Sequence, residues 1–224
     1  MNKHYIPVLC CSSKKNRDRF CYNGKYYKFL ASPRMVSQDG VIFYKPDDRI
    51  PGTTKTWRDL VLEQNEPDLV PAYKLYSHVI YRDLYHVFGN RFYILSAGWG
   101  IIRADFKIPA YDITYSPNAP NYAIRTDDIG WNDINHLQED SGKFDSNTEI
   151  ILFASSYYAP HFCYMAQSIP YNKIVLKYTS NKSENGRVRQ VQNCSWTNYY
   201  TTQKTNWYYE AAQRFTENYA NKIK

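Results

Sequence analysis

Short apolar runs separated by polar, Gly- and Pro-containing stretches set the rhythm of this chain. Residues 6–11, 92–95, 150–153 and 173–178 are such runs, rich in β-formers. Runs of this length bounded by turn residues predict strands buried on both faces, as in a parallel sheet. Between them the spacing changes. Leu75, Val79, Leu84 and Phe88 fall on roughly one helical face, and Gly89-Asn90 follows as a stop, so residues 71–88 predict the main helix. Trp207, Ala211, Phe215 and Tyr219 recur every four residues and predict a C-terminal helix over 206–224, its stripe turned to the core. Weaker patterns predict helices at 127–141 and 161–168. Thr56 with Asp59 three residues on reads as a cap for a helix reaching about Asn65.

Residues 17–69 break the alternation. Asn23-Gly24 sits between aromatic runs as a hairpin turn, and Gln38-Asp39-Gly40 precedes the strand-like Val41–Tyr44. This segment reads as a β-rich insertion that shapes specificity. The polar stretch 181–192, with Arg187 and Arg189, reads as a surface loop or a DNA-contacting ribbon. The whole predicts one α/β domain over 1–224, with a central, mainly parallel sheet flanked by helices. If the runs at 6–11 and 92–95 share that sheet, the helix between them makes a crossover unit.

Composition narrows the partners. The chain has 224 residues, a net charge of +7 and 23 tyrosines. Lysines and arginines that displace counterions, with aromatics that stack on bases, fit a nucleic-acid surface. An AT-rich coding sequence would give the same bias without that meaning. No apolar run approaches the roughly 20 residues of a membrane helix, and no leader pattern opens the chain, so a cytoplasmic protein without a membrane partner is expected. Cys10, Cys11, Cys21, Cys163 and Cys194 include no C-x-x-C pair, which predicts free thiols. The histidines at 4, 78, 86, 136 and 161 lack metal-ligand spacing, and neither phosphate-loop nor dinucleotide glycine motifs occur. No metal or cofactor is therefore expected.

Three stretches follow predicted strands at the ends where α/β proteins bind ligands. They are Ser12-Ser13-Lys14-Lys15-Asn16, the turn Ser96-Ala97-Gly98-Trp99-Gly100 with its continuation to Asp112, and Ser155-Ser156-Tyr157-Tyr158. Each has a plainer reading: a solvated charge run, or a sharp turn after a core strand.

The second stretch carries a resemblance. Ser96-Ala97-Gly98-Trp99-Gly100-Ile101-Ile102, then Asp105, then Pro109-Ala110-Tyr111-Asp112, resembles the LSAxYGLLxPDxxIxPYD signature of the YaaA-like group and its relatives near DNA-modification and phage-defence genes. Trp99 stands where Tyr is usual, and Ala110 separates the Pro-Tyr pair. Residues 6–15 (IPVLCCSSKK), 71–76 (PAYKLY) and 150–158 (IILFASSYY) resemble other segments of that group. The resemblance leaves out residues 17–69 and much of 180–224. It implies a YaaA-like or uracil-DNA-glycosylase-like fold, and a hypermodified base in DNA as target.

The reaction that best uses these residues is hydrolysis of an N-glycosidic bond in DNA. A flipped nucleotide needs aromatic and polar walls, and a carboxylate can stabilise the oxocarbenium-like sugar or orient water. Asp105 or Asp112 is the candidate carboxylate. Trp99 and Tyr111 are candidates for stacking on the base. Lys14, Lys15, Ser155 and Ser156 are candidates for the phosphates. Ser12, Asn16, Ser96, Gly98 and Tyr157 complete the expected substrate-binding set. Asn16 and Asp18 are reserves for orienting water, and His161 is the imidazole nearest a candidate serine in sequence. The His-Pro pair that such glycosylases often use for the departing base does not occur. Two other readings stay open: a non-enzymatic protein that masks DNA, and a base or nucleoside transferase acting on nucleotides or tRNA.

Overall fold

The computed structural model describes residues 3–33, 37–126, 130–191 and 193–223. The first apolar run forms β1 (His4–Cys10), buried from Ile6 onward. The insertion then builds β2 (Phe20–Tyr22), β3 (Lys25–Leu30), β4 (Ser37–Gln38) and β5 (Val41–Tyr44). Asn23-Gly24 and Asp39-Gly40 turn the β2/β3 and β4/β5 hairpins with positive φ at both residues of each pair, the geometry such tight turns require. α1 (Trp57–Leu62) opens on the expected capping box: the Asp59 N–H donates to Thr56 Oγ1, and the Thr56 N–H donates to Asp59 Oδ2.

The expected helix over 71–88 is broken. After β6 (Val70–Pro71) come α2 (Ala72–Leu75) and α3 (Ile80–Phe88), with Tyr76 extended between them. Tertiary bonds override the helical pattern here. Tyr76 bridges to Lys15, the Ser77 N–H donates to Lys14 O at 3.2 Å, and the Tyr76 hydroxyl is bonded to that of Tyr111.

β7 (Tyr93–Ser96) follows and turns directly into β8 (Gly100–Arg103), antiparallel to it, with Ser96 opposite Gly100. The Gly-containing turn is therefore a hairpin. A Cβ on Gly100 (φ +94°) would lie 2.2 Å from Ile134 O, and one on Gly98 would lie 3.1 Å from the Tyr111 ring. These close approaches account for both glycines. β9 (Lys107–Ile108) and β10 (Tyr111–Asp112) carry the chain back, and β10 pairs in parallel with β3, tying the insertion to the signature stretch.

The helix expected at 127–141 is replaced by β11 (Ile134–Asn135) and a short α4 (His136–Asp140); residues 127–129 lie outside the described residues. β12 (Thr148–Phe153), α5 (Ala159–Met165) and β13 (Asn172–Thr179) follow the expected order. The polar stretch after them contains β14 (Val188–Val191), paired antiparallel with β15 (Cys194–Tyr200), while Gln192 lies outside the described residues. α6 (Trp207–Ile223) closes the fold.

The main sheet runs β11-β8-β7-β1-β12-β13-β15-β14. β7, β1, β12, β13 and β15 are parallel neighbours, so in chain order the parallel core reads 2-1-3-4-5. In such an order, connections leave β1 toward opposite sides and open a crevice at its carboxyl end. The aromatic stripe of α6 packs inward: Phe215 stacks on Phe88 with centroids 5.6 Å apart, and Tyr5 meets Phe215 edge-on at 5.5 Å. Each pair adds about 1 kcal/mol beyond area burial. The five cysteines are free, and among the described residues no helix is long and apolar enough to cross a membrane.

Candidate functional site

An open cleft of about 770 Å³ lies at the carboxyl end of β1 and β12. Strand termination builds its floor. The Cys11 N–H still donates to Leu95 O at 2.9 Å, and beyond it Ser12, Ser13 and Lys14 turn away from the sheet. On the neighbouring strand Ser155 precedes a turn closed by the Tyr158 N–H donating to Ser155 O at 3.0 Å. Asp112 to Thr114, emerging from β10, form one wall. The break between α2 and α3 brings in Ser77 and His78. Residues 204–209, leading into α6, close the opposite side.

Charge in this cleft is sparse and mostly positive. Lys14 and Lys204 line it, and Asp112 is the one carboxylate among the described lining residues. Pairing of β10 with β3 fixes the Asp112 backbone, and its carboxylate lies 3.6 Å from Lys28 Nζ with about a third of the side chain exposed. The Tyr158 hydroxyl ties the walls together, lying 3.0 Å from Thr114 Oγ1 and 3.3 Å from Cys11 Sγ. Burial pushes that phenol's pKa well up.

His78 is held on two sides. The Ile80 N–H donates to its Nδ1 at 3.2 Å, and its ring stacks on Tyr209 with centroids 4.2 Å apart. Burial lowers its pKa, Arg82 acts the same way, and Asp83 opposes them.

Beneath the floor lies a buried polar network. Ser96 Oγ donates to the Tyr111 hydroxyl at 2.8 Å, the Tyr111 and Tyr76 hydroxyls are 2.7 Å apart, and the Trp99 N–H donates to Ser96 Oγ at 3.2 Å. Lys15 Nζ lies 4.3 Å from the centroid of the Tyr111 ring and donates to Ser12 O at 3.0 Å. Burial depresses the Lys15 pKa, while Cys11 and Asp112 work against it. A cation held by a ring face and a carbonyl props the Ser12 turn from below.

Of the residues expected from sequence, the structure brings Ser12, Lys14, Asp112, Ser155 and Tyr157 to the cleft. It does not bring the others. Ser96 and Trp99 are fully buried and Tyr111 nearly so, because the hairpin packs its turn against β3 of the insertion: Trp99 meets Phe29 at 5.4 Å. Gly98 abuts the Tyr111 ring there. Lys15 points inward, as described. Asn16 donates its side-chain amide to Lys74 O at 2.8 Å, and Ser156 is exposed off the lining. Asp18 is exposed beside Arg19, and His161 stacks on Tyr115 at 3.5 Å.

Asp105 is the main correction. β8 runs antiparallel to β7 and carries the chain back to the amino end of β1, where Asp105 lines a different pocket with His4 and Thr148. Sequence reasoning missed His78 and the 204–209 segment, and it placed Tyr158 in a candidate strand-end stretch without giving it a role. His78 had no local signal, since an unbroken helix left it unremarkable. Tyr158 sat beside expected residues, and only the sheet order brings 204–209 back to β1.

Comparisons with protein-family models, curated proteins and solved structures give no match.

Proposed function

We propose that this chain is a DNA glycosylase that hydrolyses the N-glycosidic bond of a modified base. The observation that carries the reading is Asp112, the one carboxylate among the described lining residues, in a cleft whose lining includes lysines, hydroxyls and aromatic rings. Lys14 and Lys204 suit phosphates, and the start of α6 adds the positive end of a helix dipole. Tyr157, 44% exposed at the rim, offers a ring face to a neighbouring base. The resemblance of residues 96–112 to the YaaA-like signature, with relatives near DNA-modification genes, supports a modified base as target.

In the reaction, the C1′–N bond breaks and its electron pair leaves with the base. The sugar becomes oxocarbenium-like, and a carboxylate beside it stabilises that charge. Water then adds its oxygen to C1′ and gives its proton to Asp112, which Lys28 holds nearby. An abasic site and a free base remain.

The test is incubation of the purified protein with unmodified and hypermodified DNAs, followed by alkali cleavage and mass spectrometry of released bases. The expected result is a released base with matching alkali-labile breaks. Intact DNA throughout, with tight and salt-dependent binding, would replace the reading with a protein that masks DNA. Release or exchange of base only from free nucleotides or tRNA would make it a nucleoside enzyme.

A further inference from the structure

We propose that the open face shared by β13, β15 and the start of β14 is a second DNA contact, where Lys177, Arg187 and Arg189 hold the phosphate backbone flanking the nucleotide in the cleft. This rests on DNA as the partner in the reading above, though not on which bond is broken.

Positive charge is concentrated in one segment. Residues 172–205 hold six lysines and arginines against one acid, Glu184, and so carry most of the chain's net charge of +7. Lys177, Lys182, Arg187 and Arg189 are exposed, and none of them has an ion-pair partner among the described residues. By contrast, Arg58, Arg103 and Arg125 each pair with an aspartate. Glu184 is half-buried, with Oε2 3.4 Å from Thr179 Oγ1. Four unmatched cations on one edge of a sheet attract a polyanion.

Strand pairing aligns three of them. Side chains alternate across a sheet, and paired neighbours share a face. Tyr178 and Tyr199 are paired, and both lie against Trp207 of α6, with centroids 6.3 and 6.0 Å away. Lys177 and Asn198, also paired and one residue back, therefore belong to the opposite face. The Asn198 N–H donates to Arg187 O at 2.9 Å, and Arg189 is paired with Trp196, which puts both arginines on the face of Lys177. α5 covers the near end of this face, where Cys163 Sγ lies 2.7 Å from Cys194 Sγ; beyond it Lys177, Arg187 and Arg189 are exposed. A rise of about 3.4 Å per residue sets Arg187 and Arg189 about 7 Å apart, close to the step between successive phosphates of one strand. At the carboxyl end of β13 and β15 the Thr201 N–H donates to Thr179 O at 3.3 Å, and the chain then runs through Lys204 into the cleft wall. A backbone held on this face is thus next to the cleft. Charges on an edge strand also deter pairing with another sheet, which would account for Arg187 and Arg189. Lys177 lies on β13, inside that edge, and has no edge to guard. A folded protein partner calls for an apolar centre, whereas this face offers cations, Asn198 and a partly buried Trp196.

The test uses the full chain and fluorescence anisotropy on unmodified duplex DNA, long enough to extend well past the cleft, at several salt concentrations. Arg187→Gln/Arg189→Gln is expected to lower the salt slope by about two, and Lys177→Gln added to it by about one more, uniformly across sequences. A matched loss of charge at the other end of the sheet, Lys3→Gln/Arg91→Gln, is expected to change the slope little. On a DNA hairpin too short to leave the cleft, the arginine variant is expected to bind like wild type. An unchanged slope in the arginine variant, or an equal drop in the matched control, would overturn the proposal while leaving the glycosylase reading in place. Binding of polyglutamate in preference to DNA would overturn it in favour of an acidic protein segment. The expected slope changes with no base released from any DNA would remove the glycosylase reading and leave this contact standing.

Discussion

The two ends of the main sheet treat their carboxylates in opposite ways. At the amino end, a pocket of about 480 Å³ holds Asp105, Asp140 and Asp145 among Arg91, Arg103 and Lys143. Asp140 there is saturated. It accepts from Arg103 Nε at 2.6 Å and Nη2 at 2.8 Å, from Lys143 at 2.8 Å and from the Tyr93 hydroxyl at 2.9 Å. Arg103 first, helped by Lys143 and Tyr93, holds this carboxyl well below the usual range. At the carboxyl end Asp112 pairs with Lys28 Nζ at 3.6 Å, also feels the charge of Lys15, and stays partly exposed. A carboxylate with every lone pair engaged is a fastener, whereas one with spare acceptors facing a cleft is available for a substrate. The amino-end pocket holds more carboxylates, yet Asp140, the most firmly held of them, is spent on its neighbours.

The sharpest way to break this contrast is Asp112→Asn. Loss of a charge-stabilising or water-orienting carboxylate is expected to lower single-turnover base release by about 10²–10⁴-fold, with DNA affinity changed little. Weaker binding with unchanged cleavage at saturation would assign Asp112 to binding instead.

The matching change at the other end should act on stability. Asp140→Ala leaves Arg103, Lys143 and the Tyr93 hydroxyl without their shared acceptor. It is expected to cost about 3 kcal/mol, read as a lower urea midpoint, with base release per folded molecule unchanged. A selective loss of activity would move chemistry to the amino end.

Acid should expose the same asymmetry. His136 accepts the Arg103 N–H on Nδ1 at 3.1 Å, and burial first, then Arg103, lowers its pKa to about 4. Its folded pKa lies below the unfolded value near 6.5, so the unfolded chain binds the proton more readily. Its contribution is full above that unfolded value and is lost as pH falls toward 4, by at most about 1.4 kcal/mol per pH unit. Asp140 extends the loss below about 4, since its folded pKa is also depressed. A melting temperature flat between pH 5 and 7 would contradict the His136 account.

The smallest effect belongs to the rim. Lys204→Ala is expected to weaken DNA binding uniformly across sequences and to reduce the salt slope by about one, detected by fluorescence anisotropy at several salt concentrations.

Much of the fold was legible because the central strands are local signals. The run at β1 is apolar throughout, and the turns at Asn23-Gly24 and Asp39-Gly40 carry their own geometry. Thr56 and Asp59 announce their helix in the same way. What failed was what depends on distant partners. β15, written CSWTNYY, has no clean alternation and becomes a strand because β13 and β14 flank it. The break at Tyr76 is set by Lys15 and Tyr111, far away in sequence. The site was half legible. Strand ends marked Ser12, Lys14 and Ser155, but the reversal of β8 sent Asp105 to the wrong end and left Asp112 as the carboxylate in the cleft.

The most direct test of the central claim is hydrogen-exchange mass spectrometry with and without a short oligonucleotide carrying the released base. The account predicts protection at residues 11–14, 77–78, 112–120, 155–158 and 204–209, and none around Asp105 and Asp140. Protection confined to the amino-end pocket would contradict it.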